Sequence, residues 1–282
     1  MTTGSATAPG SSANLGPGFD VLAIAWELRC RVTVSTSEEW RIRQLGDEWW
    51  PREGEFVRRA AEAAGPGPFV IEIDNEVPRS RGLGSSSAVA TAIAAAAFRA
   101  QEIEPTDAEL FAIVTAMDGH PDNAAAAVFG GLVLVDGVHH VRLDLAPNLL
   151  FLAAVPDTPL RTDEARAALS GSIDRAAVVR SLSRFGFLLQ GLQTGAPELL
   201  ARARGDELHE APRYGLSPLT GNLIAAALEA GALHASWSGA GPTVLAMASS
   251  EGELADVAAA MEAALDGAGS VRPLRAASVG WQ

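Results

Sequence analysis

The sequence predicts an α+β protein. Strand-like and helix-like segments alternate along the chain without the even spacing of a βαβ repeat. Pro147-Asn148 separates two halves that each contain both kinds of segment. With 282 residues and 48% hydrophobic content, the chain has apolar material for one large domain or two modest ones. The boundary is expected near Leu145–Asn148, giving units of 1–146 and 147–282.

In chain order, Val32–Ser35 and Val70–Asp74 cluster β-branched residues, as strands do. Between them, Glu53–Ala64 reads as a short helix stopped by Gly65-Pro66-Gly67-Pro68. After Pro78 a Gly/Ser turn leads into Ala88–Gln101, an alanine-rich helix apolar on nearly every face and therefore buried. Pro105-Thr106-Asp107 restarts a helix, with Thr106 as N-cap and Glu109 in the capping-box position. Gly130-Gly131 turns into a buried strand over Leu132–Val135. The second half opens with the apolar strand Leu149–Val155. Helices are predicted over Thr162–Leu169, Arg175–Leu192, Pro197–Arg204 and Asn222–Ala230, followed by a strand over Thr243–Ala248 and a helix over Gly252–Ala264.

Composition narrows the function classes. Thirty-four acidic residues against 21 basic ones leave a net charge of −13, which argues against nucleic acid or an anionic membrane as partner. The most apolar stretch, Ala88–Phe98, ends at Arg99, well short of a bilayer span. No secretory signal pattern opens the chain, so a soluble, cytoplasmic protein is expected. Cys30 is the single cysteine, which excludes an internal disulfide and a cysteine-rich metal site. All 21 basic residues are arginine. A lysine-free chain has no Walker A lysine, no protein-kinase strand lysine, no Schiff base and no serine–lysine pair. Any contact with nucleotide phosphates falls to backbone amides, hydroxyls, arginine and metal. The lysine gap itself is most simply a coding bias.

The sharpest local feature is Pro78-Arg79-Ser80-Arg81-Gly82-Leu83-Gly84-Ser85-Ser86-Ser87-Ala88, running straight into the buried helix. Glycines permit close backbone approach, and successive amides at a helix N-terminus form an anion site. The serines add hydroxyls, with Ser86 the candidate magnesium ligand. Read alone, the segment is equally a helix-capping loop, because serines are good N-caps. Two companions decide between these readings. Ala8-Pro9-Gly10-Ser11-Ser12-Ala13-Asn14-Leu15-Gly16-Pro17-Gly18-Phe19-Asp20 reads as a Gly/Pro-rich loop that needs a ligand to order it. Ser238-Gly239-Ala240-Gly241-Pro242-Thr243 is a glycine turn entering an apolar strand.

In this order the three segments resemble the motifs of the GHMP kinase superfamily: an N-terminal substrate loop, a phosphate loop and a late glycine-rich loop. The resemblance spans Ala8 to Thr243. Within the superfamily the chain looks most like the homoserine kinases. His120-Pro121-Asp122-Asn123 is similar to their H-P-D-N segment and Thr162-Asp163-Glu164-Ala165-Arg166 to their S-T-x-E-A-R segment, with Arg161 in place of the serine. His209-Glu210-Ala211-Pro212-Arg213 matches their H-x-P-Y-R segment in its His and Arg.

The resemblance implies a two-part α+β fold, with an N-terminal domain like domain 2 of ribosomal protein S5 and a ferredoxin-like C-terminal domain. It implies ATP and Mg²⁺ as cofactors and phosphorylation of the homoserine side-chain hydroxyl in threonine biosynthesis. Residues 78–88 would hold the nucleotide phosphates. Asn14, Asp20, His120, Asp122, Asn123, Thr162, Arg166 and Arg213 would line the amino-acid pocket, with Asp20, Asn14 and Arg166 nearest the chemistry. The residue types suit that substrate: arginines clamp a carboxylate, Asp122 holds an ammonium, and the asparagines both donate and accept. Homodimers are common in that family, although no interface is legible in this sequence.

Two segments depart from the pattern. The family's E-x-E-G run appears as Ala116-Met117-Asp118-Gly119, so alanine stands where the earlier glutamate is associated with magnesium, and Asp118 is a candidate substitute. The Asn-containing segment that commonly contacts the purine appears as Glu55-Phe56-Val57. Two alternatives stand beside the leading one: a kinase for another small hydroxylated metabolite such as threonine or mevalonate, and a feebly active nucleotide- or amino-acid-binding sensor. An Asp122→Asn variant separates the first, since mevalonate has no ammonium. Turnover of ATP with homoserine at metabolic rates eliminates the second.

Overall fold

The computed structural model describes residues 1–45, 51–169 and 171–282, with residues 51–53 described by their backbone alone. β1 (Thr3–Asn14) turns back into β2 (Gly18–Thr36), and the two pair antiparallel from Thr3↔Ser35 to Asn14↔Gly18. β3 (Arg41–Gln44) and α1 (Pro51–Glu62) lead to β4 (Phe69–Asn75), which is parallel to β3 and antiparallel to residues 30–36 of β2. Three helices follow: α2 (Ser85–Ala100), α3 (Asp107–Asp118) and α4 (Pro121–Phe129). β5 (Leu132–Asp136) pairs with residues 22–24 of β2, and β6 (His139–Leu143) completes this six-stranded sheet.

α2 is buried as its composition predicts, with eleven of its residues out of solvent. Thr106 and Glu109 form the expected capping box on α3. The loop expected over Ala8–Asp20 is corrected: most of it is strand, with its only turn at residues 15–17. From Ala8 to Asn14 every residue is buried, so no period-two alternation marks the strand. Its small residues serve packing. A Cβ at Gly4 would strike the Ala96 carbonyl and the Ala100 amide of α2, and one at Gly10 would come within 2.9 Å of the Leu83 carbonyl.

The second half begins with β7 (Leu150–Pro156), then α5 (Thr162–Ala167), α6 (Arg175–Thr194), α7 (Pro197–Arg202), α8 (Glu210–Arg213) and α9 (Pro218–Glu229). It continues through β8 (His234–Trp237), β9 (Val244–Ala248), α10 (Glu251–Leu265) and β10 (Gly269–Leu274). The four strands form an antiparallel sheet in the order β10-β7-β9-β8. Leu223 of α9 and Met261 of α10 pack with Leu152 and Trp237 in its core. Leu188, Leu192 and Leu200 from α6 and α7 join the larger core of the first sheet instead. The C-terminal tail also returns there: Ala277 N–H donates to Ala25 O, and Gln282 pairs with Thr7 through both backbone groups. No helix among the described residues is long and apolar enough to cross a membrane.

Candidate functional site

The three sequence segments meet. Ser238 Oγ lies 2.6 Å from both Ser12 Oγ and the Gly82 carbonyl, and the Gly239 N–H donates to Ala13 O. Gly82 and Gly84 have φ of +76° and +65°. A Cβ at Gly82 would strike the Ser238 carbonyl, and one at Gly84 the Ser11 hydroxyl. Close approach and left-handed backbone both require glycine here. Beside this junction lies a cavity of about 660 Å³.

The phosphate-loop side of the cavity ends on the N-terminus of α2. Gly84 is its N-cap, and no side chain caps the first turn. The serines of the alternative, capping reading are engaged elsewhere or line the cavity. Ser85 Oγ accepts from Asn75 Nδ2 at 3.0 Å, Ser87 Oγ donates to Asp118 Oδ2 at 2.5 Å, and Ser86 lines the cavity. The first-turn amides are thus left for an anion, in the field of the helix dipole. Pro78, Arg79, Ser80, Gly82, Leu83, Gly84, Ser85 and Ser86 border the cavity, as expected.

Three members of the predicted phosphate loop do not border it. The Arg81 guanidinium turns away, donating to the carbonyls of Pro156 (2.7 Å) and Asp157 at the end of β7. Ser87 and Ala88 are fully buried within α2. The departing run Ala116-Met117-Asp118-Gly119 divides as well. Residues two apart on a helix face different sides; on α3, Ala116 is exposed while Asp118 lines the cavity beside Ser86.

A second group of lining residues is polar. Asp20 (φ +59°) forms a two-pronged ion pair with Arg166, at 2.7 and 3.2 Å. Arg166 Nε also donates to His120 Nε2 at 3.0 Å, so that nitrogen bears the lone pair. Asn14 is committed within the site: Oδ1 accepts from the Asp20 N–H and Nδ2 donates to Gly239 O. Asn123 is similarly tied, accepting from Ser11 Oγ and donating to Asp122. Thr162 opens α5 on the cavity wall.

Burial shapes the electrostatics. Asp122 is 2% exposed, and desolvation, partly offset by the Asn123 N–H, pushes its pKa up to about 6. Arg213 lines the cavity while almost fully buried, where desolvation and then Arg166 lower it to about 10, so it stays charged at neutral pH. It donates from Nε to Ala165 O and from Nη1 to Gly239 O and His209 Nδ1.

The third group of lining residues is apolar and falls where Glu55-Phe56-Val57 departs from the family pattern: Phe56, Val57, Ile42, Ile73 and Val89, with the amide of Gln44 among them. Asn75, which also borders the cavity, holds the phosphate loop through Val77 and Ser85. Strand β3, which supplies Ile42 and Gln44, escaped the sequence reading because it is only four residues long. Phe19 went unassigned too, although its ring lies 5.8 and 5.7 Å from the guanidinium carbons of Arg166 and Arg213. Its place inside the first motif was the available signal.

Comparison with known proteins agrees with this geometry. Residues 54–131 match the family model for the GHMP kinases N terminal domain, and residues 188–267 match that for the GHMP kinases C terminal. A homoserine kinase of Deinococcus radiodurans is 40% identical, the match covering 88% of this chain and 85% of that one. One from Moorella thermoacetica is 39% identical over 84% of this chain and 85% of its own. The crystal structure of homoserine kinase from Cytophaga hutchinsonii superposes with a TM-score of 0.88 at 27% identity, covering 100% of this chain and 97% of that one. The two-part α+β fold is therefore the GHMP kinase fold, and the chain belongs to the homoserine kinases within the GHMP kinase family.

Proposed function

We propose that the protein transfers the γ-phosphoryl group of ATP to the side-chain hydroxyl of L-homoserine, yielding O-phospho-L-homoserine for threonine biosynthesis in the cytoplasm. One observation carries this reading. A single cavity joins an uncapped helix N-terminus to a polar group containing two arginines and two aspartates. Homoserine presents a carboxylate, an ammonium and a hydroxyl, and each has a complement there.

Arg213 is fixed by three acceptors through Nε and Nη1, which leaves Nη2 for the substrate carboxylate, shared with Arg166. Asp122 takes the ammonium, and that charge in turn favours the ionised carboxylate. Asp20, set by Asn14, orients the hydroxyl. Phosphoryl transfer has a loose transition state, so placement and charge neutralisation do most of the work. The amides of Gly82–Ser86 and the α2 dipole hold the β- and γ-phosphates.

The residues present fit a magnesium ion. No group of three or more His, Cys, Asp or Glu among the described residues could hold a metal alone. Magnesium, however, normally binds one or two protein oxygens and completes its shell with phosphate and water. Ser86 Oγ and the Asp118 oxygen not bonded to Ser87 would supply those ligands. Bound there, the ion would neutralise charge on the phosphates. In this reading 1–146 and 147–282 are the two functional lobes, with the tail 275–282 stitched back onto the first.

An ADP-release screen with homoserine, threonine, mevalonate and no acceptor tests the assignment. Turnover should appear with homoserine and be at background with mevalonate. Equal rates in all four arms would overturn it.

A further inference from the structure

Behind the cavity lie two buried histidines that the chemistry above does not use. His209 and His234 are both fully buried, on different elements of the second half. His234 Nε2 is 3.0 Å from the Leu15 carbonyl, and His209 Nε2 is 2.7 Å from the Gly16 carbonyl. A carbonyl only accepts, so both Nε2 atoms carry protons. Successive carbonyls of one turn are thus held by two imidazoles 193 and 219 residues further along the chain.

That turn needs holding. Asn14, Leu15 and Gly16 have φ of +71°, +51° and +84°, three consecutive left-handed residues of which only one is glycine. Leucine rarely adopts this backbone. The same turn aims Asn14, whose Oδ1 fixes the Asp20 N–H. His209 has a second task. Its Nδ1 lies 2.9 Å from Arg213 Nη1, and arginine only donates, so Nδ1 is the lone-pair nitrogen. One neutral tautomer therefore satisfies both contacts, and burial followed by Arg213 lowers its pKa to about 4, keeping it neutral. Its ring stacks on Phe19 at 5.0 Å and 15°. The His209 backbone N–H donates to Asp206 Oδ2, and Asp206 Oδ1 accepts from Ser181 Oγ.

We propose that His209 and His234 are positioning residues: together they hold the left-handed 14–16 turn that sets Asp20, and His209 also orients Arg213 toward the substrate carboxylate. The proposal rests on the homoserine kinase reading. Neither residue touches the reacting atoms.

Half-replacements separate the contacts. His209→Gln keeps a donor at the Nε2 position and loses the acceptor for Arg213, while His209→Asn does the reverse. H209Q should raise KM for homoserine about ten-fold, the scale of a charge-assisted contact, with kcat within about three-fold. H209N, and His234→Asn (which withdraws the donor from Leu15 alone), should lower kcat about ten-fold instead. KM for ATP should stay within about two-fold in all three. On 3-aminopropan-1-ol, which is homoserine without its carboxylate, the H209Q penalty should vanish. A merely structural role would penalise both substrates equally and overturn the proposal, as would matching KM and kcat shifts in H209Q and H209N. If a variant fails to fold, Ser181→Ala loosens the same anchor. It should raise homoserine KM but not ATP KM, and equal or absent shifts overturn the proposal. Calorimetric homoserine affinity of wild type and H209Q reads the clamp without turnover. Wild-type inactivity would therefore refute the function, and unchanged affinity in H209Q would refute this inference.

Discussion

Replacing Asp122 by asparagine is expected to make the empty protein more stable at neutral pH and a poorer binder of its substrate. The Asp122 carboxyl is 2% exposed, and burial moves its pKa from 3.8 to about 6. Between those values the native state holds more protons than the unfolded one, so stability falls as pH rises through that window. At about 1.4 kcal/mol per pKa unit, the ionised group costs roughly 3 kcal/mol at pH 7. Asparagine retains an acceptor for the Asn123 N–H but carries no charge. The variant should therefore melt on the order of 5 °C higher at pH 7 in the absence of ligand. Below about pH 4, where the wild-type carboxyl is protonated in both states, the gain should disappear. Homoserine affinity should fall about ten-fold or more with loss of the ammonium's charged partner. Thermal denaturation at both pH values, paired with calorimetric binding, measures the two effects. A melting temperature that drops at pH 7, or rises equally at both pH values, would refute a desolvated carboxylate held ready for an ammonium.

Three further outcomes follow from the geometry around the cavity. Gly84→Ala places a Cβ against the Ser11 hydroxyl at φ +65°; denaturant titration should show a loss of about 1–2 kcal/mol from the backbone alone, and KM for ATP should rise. Asp118→Asn weakens the carboxylate beside Ser86 and should shift the Mg²⁺ concentration for half-maximal activity upward about ten-fold, read by a magnesium titration at saturating ATP. Arg81→Ala removes the bonds to the Pro156 and Asp157 carbonyls that brace the phosphate loop. Steady-state kinetics should show a several-fold higher KM for ATP with homoserine KM unchanged, and Arg81→Lys should recover part of the loss.

What the sequence discloses is decided by the range of the interaction that fixes each residue. The capping box at Thr106 and Glu109 is written in four residues and is legible. The apolar runs that become α2, β5 and β7 are equally local. β1 is not legible, because α2 packs against it, every residue from Ala8 to Asn14 is buried, and small residues replace alternation. Arg81 shares the phosphate-loop motif, yet its direction is set by carbonyls about 75 residues away. The site shows the same division. The resemblance to the family names Asp20, Arg166 and Arg213 as a group, but only the fold reveals that Asp20 and Arg166 pair and that Arg213 hangs from His209. The lysine-free composition gains a physical sense from this. The cavity's phosphate side is backbone amide and hydroxyl on an uncapped helix, an arrangement in which lysine has no necessary part. On the polar side, planar guanidiniums hold several fixed acceptors and still keep a donor for a carboxylate, which a single ammonium at the end of a flexible stem would do less well.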